Sequence, residues 1–153
     1  MIYEVLRAGN PTLKQISEPV EKIDKRIRRL LDDMHATMLL YNGIGLAAPQ
    51  IGKNIRAIVI ELDEKRYDLI NPKILKREGK VVDTEGCLSV PDLFGEVERS
   101  EKVEVEFLDR YGKKKKIWTE GLLARCVQHE IDHLDGQLFI DIAQSVHRGE
   151  EKE

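Results

Sequence analysis

The chain is short of the residues that a secreted, membrane-spanning or fibrous protein would need. It has two cysteines, three phenylalanines and one tryptophan in 153 residues. Two cysteines cannot build the disulfide framework of a small secreted domain, and they read as ligands or core residues instead. No apolar run approaches the ~20 residues of a bilayer-spanning helix. The opening "MIYEVLRAGNPTL" has neither the basic-then-apolar layout of a secretory leader nor the arginine- and serine-rich character of a transit peptide. A bacterial-type cytoplasmic location is therefore expected. Repeats, low-complexity tracts and linker-like stretches are missing too. With a net charge of −3, neither DNA nor a membrane surface is an expected partner.

What remains is a globular balance, 41% apolar and 35% charged. A chain of this length buries roughly two thirds of its unfolded surface, so residues 1–153 are expected to form a single domain. The one basic run, residues 113–116, follows "DRYG", a turn signal between strand-like segments. It reads as a solvated hairpin arm, with a weak contact to RNA or the ribosome as the rival.

Asp24 is placed to cap a helix running to about Tyr41, with Gly43 just past its end. Ile27, Leu31, Met34, Met38 and Tyr41 recur at helical spacing and mark its buried stripe, while His35 sits at the stripe's edge. The period then changes. "IRAIVIEL" reads as a buried strand, "KRYDLINPKIL" as a strand entered through a turn at residues 63–65, and "KVVD", "KVEVEFLD" and "KKIWTE" as further strands. A second helix spans about residues 120–135 and stops at Gly136. The expected fold is α+β: an N-terminal helix, mostly antiparallel strands, and a C-terminal helix that carries the functional residues. From about residue 145 the chain is expected to be disordered or a short helix.

The second helix holds "QHEIDH". At about 100° per residue, Leu122, Cys126, His129 and His133 share one arc, with Glu130 beside them. Leu123, Val127, Ile131 and Leu134 form an apolar arc. Ala124, Arg125, Gln128, Asp132 and Asp135 are left for water or polar neighbours. Histidines at i and i+4 can close on one metal ion, and the glutamate after the first can reach a water beside it. A third ligand is then required. The pattern HExxHxxGxxH fails because Phe139 stands where a histidine belongs. A downstream glutamate fails because Glu150, Glu151 and Glu153 fall in a tail expected to fray. A cysteine from upstream remains, either Cys126, one turn behind His129 on the same helix, or Cys87 in "TEGCLSVP". Geometry favours Cys87: Gly86 allows close backbone approach, and Pro91 is expected soon to end any regular strand.

Three stretches, "GIGLAAPQ" (residues 43–50), "EGCLS" (85–89) and "QHEIDHLDG" (128–136), resemble in order and separation the three motifs of the peptide deformylase family. The opening "VLRAGNPTL" resembles that family as well. The resemblance implies a metal-dependent hydrolase that removes the formyl group from N-formyl-methionyl nascent chains, releasing formate. It implies Cys87, His129 and His133 as ligands of one divalent ion, natively Fe²⁺, with Zn²⁺, Ni²⁺ or Co²⁺ as substitutes. Glu130 becomes the general acid/base, with the Gln50 amide and the Leu88 backbone N–H holding the oxyanion. Gly43, Ile44, Leu122 and Cys126 are expected to wall a slot for methionine. Gly45 is expected to bond the peptide backbone, and Glu85 to orient His129 or a basic side chain such as Arg99. Two departures stand out. Phe94 stands near the place of a groove arginine found in well-known members, and the chain ends in a short acidic tail rather than a longer basic helix. A monomer is expected. The rival classes are an HExxH metallopeptidase, a non-catalytic metal-binding module, and a thiol redox protein, the last opposed by the lack of CxxC spacing.

Overall fold

The computed structural model describes residues 1–149. Helix α1 (Lys25–Leu40) starts where the Asp24 side chain accepts the backbone N–H groups of Arg26 and Ile27, the donors that a helix start leaves without partners. It presents Leu31, Met34 and Met38, all fully buried, while Tyr41 at the end of the expected stripe is exposed. Strands β1 (Gly45–Ala47), β2 (Ala57–Leu62), β3 (Lys65–Glu78), β4 (Val81–Cys87), β5 (Val90–Arg99), β6 (Lys102–Leu108) and β7 (Lys114–Glu120) follow. Helix α2 (Gly121–Leu134) and strand β8 (Ser145–Arg148) complete the order.

The strands form two antiparallel sheets, β1-β2-β3-β6-β7 and β4-β5-β8. The period of two along β2 splits its side chains between two cores. Ala57 and Val59 join Leu31, Met34 and Met38 under α1. Ile58 and Ile60 join Val127, Ile131 and Leu134 of α2. The larger sheet is thus covered by a helix on each face, which is why "AIVI" reads as continuously apolar. Truncating one of these side chains, as in Leu31→Ala, costs about 2–5 kcal/mol in such a core.

Two expectations are corrected. Pro91 does not end a regular strand, because β5 runs through it. Between the pairs Cys87↔Val90 and Glu85↔Gly95, one residue of β4 faces four of β5, so Pro91 lies in a wide bulge where its missing N–H is not needed. Nor are residues 145–148 disordered or helical: Ser145–Arg148 pairs with residues 93–96 as β8. That pairing covers an edge of β5 that would otherwise expose a row of unsatisfied backbone groups. The acidic residues Glu150, Glu151 and Glu153 lie outside the described residues. The stretch "LAAPQ" is the end of a short edge strand followed by a 3₁₀ turn (Ala48–Ile51). No described helix is long and apolar enough to cross a membrane.

Helix α2 lies between the two sheets. Its stop at Gly136 is sterically fixed: the residue has φ 78°, and a Cβ there would meet the Lys14 carbonyl oxygen at 2.5 Å.

Candidate metal centre

His129 and His133 stand one turn apart on α2, and Cys87 ends β4 just before the two-residue turn at residues 88–89. One donor atom from each lies within 4.8 Å of the other two, with Cys87 Sγ 3.3 Å from His133 Nε2. The His129 and His133 rings meet edge to face at 5.2 Å. Cys126 stays out of the cluster. It is buried with its thiol against Gly45, and burial pushes its pKa well above the ordinary value, so it remains a neutral thiol. One thiolate and two imidazoles suit a borderline divalent ion such as Zn²⁺ or Fe²⁺ and leave a fourth position free.

Glu130 supplies a second observation that fits such an ion. It lines the cavity beside the cluster, and its Oε1 is buried without a hydrogen-bond partner among the described residues. Burial raises its pKa to about 7, although the neighbouring His129 pulls the other way. Gly45 makes room for it, because a Cβ there would meet Glu130 Oε2 at 2.7 Å and Cys126 Sγ at 2.8 Å. Burial and the neighbouring His129 push His133 well below its ordinary pKa, which keeps it neutral as a ligand must be. For His129 burial acts in the same downward direction, but hydrogen bonds with Cys87 and Glu85 outweigh it and raise the pKa to about 10.

Beneath the histidines lies a charged network that is buried except at its outer end, Asp132. His129 Nδ1 is 2.9 Å from Glu85 Oε1. Glu85 also accepts Arg99 Nε at 2.8 Å, Arg99 Nη2 at 3.0 Å and Arg125 Nη1 at 2.6 Å. Arg99 reaches on to Asp132 at 2.6 Å, and Arg125 to the backbone oxygens of Val97 and Val81. Such a partner fixes the ring orientation and basicity of a ligating histidine. One Glu85 side chain thus contacts both His129 and Arg99. Of the polar arc of α2, Arg125 and Asp132 join this network and Gln128 bonds the backbone of Ser100, while Ala124 lies in the core and Asp135 is exposed beside Arg56.

Gln50 is 1% exposed. Its Oε1 accepts the Ala47 N–H at 2.9 Å, and its Nε2 donates to Ser89 Oγ at 3.0 Å and lies 3.6 Å from Cys87 Sγ. Gly43, Ile44, Gly45, Leu88, Leu122 and Cys126 all border the same cavity, of about 370 Å³. The sequence reading missed Arg125 and Ser89. A signal existed for Arg125: an arginine four residues before His129, flanked by apolar positions, stacks on the histidine's face of the helix.

A helix that supplies two histidines and a carboxylate, closed by a cysteine from a second sheet, defines an α+β protein of the metal-dependent hydrolase class. The family model described as polypeptide deformylase matches residues 2–149, and the chain belongs to that family. It is 51% identical over 147 residues to the peptide deformylase of Carboxydothermus hydrogenoformans, covering 96% of this chain and 97% of that one. The crystal structure of peptide deformylase from Thermotoga maritima superposes with a TM-score of 0.93 at 38% identity, over 95% of this chain and 99% of that one. The enzyme from Synechococcus elongatus, in complex with actinonin, gives 0.92 at 43% identity, over 94% and 79%.

Proposed function

We propose that this chain hydrolyses the formyl amide of N-formyl-methionyl nascent chains to formate and a free N-terminus. The observation that carries the reading is the Cys87–His129–His133 cluster with the unpartnered, buried Oε1 of Glu130 beside it. A divalent ion held by those three residues would supply Lewis acidity, which brings the pKa of water from ~15.7 toward ~7.

The chain's own residues do the rest. Glu130 takes the proton of the attacking water and delivers it to the amine nitrogen as the C–N bond breaks, a shuttle suited to a carboxyl that burial holds at about 7. The Gln50 amide and the Leu88 backbone N–H receive the charge that develops on the formyl oxygen. Gln50 is set in advance for this, since Ala47 occupies its Oε1 and leaves the NH₂ end directed toward Cys87 and Ser89. Glu85 holds His129. Leu122, Cys126, Gly43 and Ile44 offer apolar walls to the methionine side chain, and Gly45, on the edge strand β1, offers its backbone to an extended peptide. Ferrous iron is the working ion in this reading, with Zn²⁺, Ni²⁺ or Co²⁺ as substitutes. The protein acts as a monomer in a bacterial cytoplasm, with at most a weak contact to the ribosome.

The test is formate release from formyl-Met-Ala-Ser by protein purified without oxygen, with metal content read on the same sample. Glu130→Gln is expected to keep the metal and lose at least ~10²-fold in turnover. Wild-type protein that binds iron or nickel yet releases no formate would sink the reading.

A further inference from the structure

No residue assigned a part in the reaction comes from the opening stretch "VLRAGNPTL". From residue 3 to residue 17 the chain is laid across other elements and belongs to neither sheet. Tyr3 donates its N–H to Thr37 Oγ1 at 2.9 Å, and Val5 donates to the Tyr41 hydroxyl at 3.4 Å, which fixes the segment along α1. Val5 itself is buried in the core under that helix. The next two donors reach the site. Leu6 gives its N–H to the Gln50 carbonyl at 2.7 Å, and Ala8 gives its N–H to the Ser89 carbonyl at 2.8 Å. Further on, Ser17 donates to the Leu134 carbonyl at 2.8 Å, next to His133 at the end of α2.

The segment is anchored on both sides of those donors. A turn is closed by the Asn10 N–H to the Arg7 carbonyl at 3.1 Å, with Ala8 and Gly9 in its middle places. Gly9 has φ 102°, where any side chain would be strained. Asn10 then caps the 3₁₀ turn Pro11–Lys14, whose Leu13 is fully buried. What this anchoring joins is otherwise loosely connected. Of the two groups that receive the oxyanion, the Gln50 amide sits on the turn after β1 and the Leu88 N–H on the turn between β4 and β5. These turns belong to different sheets, and Gln50 and Ser89 are 39 residues apart in the chain. Two donors can serve one oxygen only if their separation is fixed, and a misplacement of about 1 Å costs about a hundredfold in rate.

Resting on the deformylase reading, we propose that the N-terminal segment is a strap for the oxyanion donors, with Leu6 and Ala8 as positioning residues. Their backbone N–H groups, two residues apart, tie the Gln50 turn and the Leu88–Ser89 turn to one another before substrate arrives. The side-chain bond from Gln50 to Ser89 Oγ, at 3.0 Å, spans the same gap from within. Preorganisation of this kind matters to the transition state and not to the binding of peptide or metal.

The experiment measures kcat, KM and bound metal with formyl-Met-Ala-Ser for full-length Ala8→Pro. Ala8 is exposed, and proline suits the second place of a turn, so the substitution removes little besides the N–H that Ser89 accepts. The expected result is kcat about tenfold lower, with KM within about twofold of wild type and the metal retained. Gly9→Ala, which keeps the N–H but strains the turn, should show a smaller part of the same loss. In a Gln50→Ala background the loss from Ala8→Pro should shrink to within about twofold, because one of the two donors that the strap aligns is gone. An unchanged kcat, a loss of metal, or a loss just as large in the Gln50→Ala background would mean that the segment serves folding alone, and the proposal fails. If Ala8→Pro does not fold, Gly9→Ala in the two backgrounds decides the same question. Wild-type protein that binds metal and releases no formate overturns the deformylase reading and the strap with it, a result distinguishable from the others.

Discussion

Two clusters of arginines and carboxylates hold this molecule, and they use the same bonds to different ends. Under the metal centre, Arg99 and Arg125 bind Glu85 and Asp132, with side-chain exposures of 5%, 10%, 4% and 24%. On the outer side of α1, Arg66 and Arg110 bind Asp32 and Asp68, and Asp32 is 51% exposed. Distances alone do not separate them, since both contain pairs at 2.8–2.9 Å. Burial does. In the inner cluster, Glu85 receives four hydrogen bonds and no water could replace one that is lost. In the outer cluster Asp68 is itself buried, at 7% exposure, but solvent stands ready wherever a bond to Asp32 breaks, and exposed ion pairs contribute only ~0.2–1 kcal/mol each.

The largest effect expected from this contrast is that of Glu85→Ala. It leaves two buried guanidinium groups without their main carboxylate and His129 without its partner. Breaking a buried pair costs about 3–5 kcal/mol because the remaining charge is uncompensated. Loss of a histidine's supporting carboxylate lowers metal affinity by about 10–100-fold. Urea denaturation of the metal-free and metal-loaded variant reads both. A loss below ~1 kcal/mol would mean that the buried cluster is no different in kind from the exposed one.

Acid sharpens the same contrast. Burial alone would raise Glu85, but Arg99 and His129 outweigh it and bring the pKa from 4.5 to about 2. A carboxylate whose pKa falls on folding adds stability that is complete above its unfolded value and is lost as the pH drops through the folded one. The Glu85 share should therefore be present above pH 4.5 and fade toward pH 2. In Glu85→Gln, unfolding free energy measured across that interval should fall less steeply than in wild type. Equal slopes would mean that the Glu85 carboxylate contributes nothing to acid stability.

The inner cluster also marks what could and could not be read from the chain. Local period was enough for α1, α2 and the alternating strand β6, and the i, i+4 spacing of His129 and His133 announced the metal site. Glu85, Arg99 and Arg125 meet only because β4, β5 and α2 pack together, and no local pattern encodes that meeting. The same holds for β5 and β8. Pro91 argues against a strand when judged by its own neighbours, but a bulge opposite Gly86 removes the objection. Residues 145–148 have no strand signal stronger than the edge of β5 that they cover. Nor does a local pattern announce the burial of Gln50, whose partners Ala47 and Ser89 come from the end of β1 and from the separate β4–β5 hairpin.

The smallest predicted effect is the one that decides whether the comparison is right. Asp32 is also held at about 2, by the hydrogen bond from Arg110 and then that from Arg66, with its slight burial opposing. By titration alone, then, Asp32 and Glu85 look alike, and if a lowered pKa measured structural worth, Asp32→Asn should approach the cost of losing Glu85. The physical argument says otherwise. Asp32 is half exposed, its interaction with two arginines is screened by salt, and water hydrates whatever the substitution leaves behind. Asp32→Asn is therefore expected to cost no more than about 1 kcal/mol at low salt, and less at 1 M salt. Its contribution, too, should vanish only between pH 3.8 and about 2, since its folded pKa lies below its unfolded one. Denaturation at two salt concentrations makes the measurement. A loss of several kcal/mol that salt does not reduce would show that the outer cluster is structurally as closed as the inner one, and that exposure is the wrong variable for telling them apart.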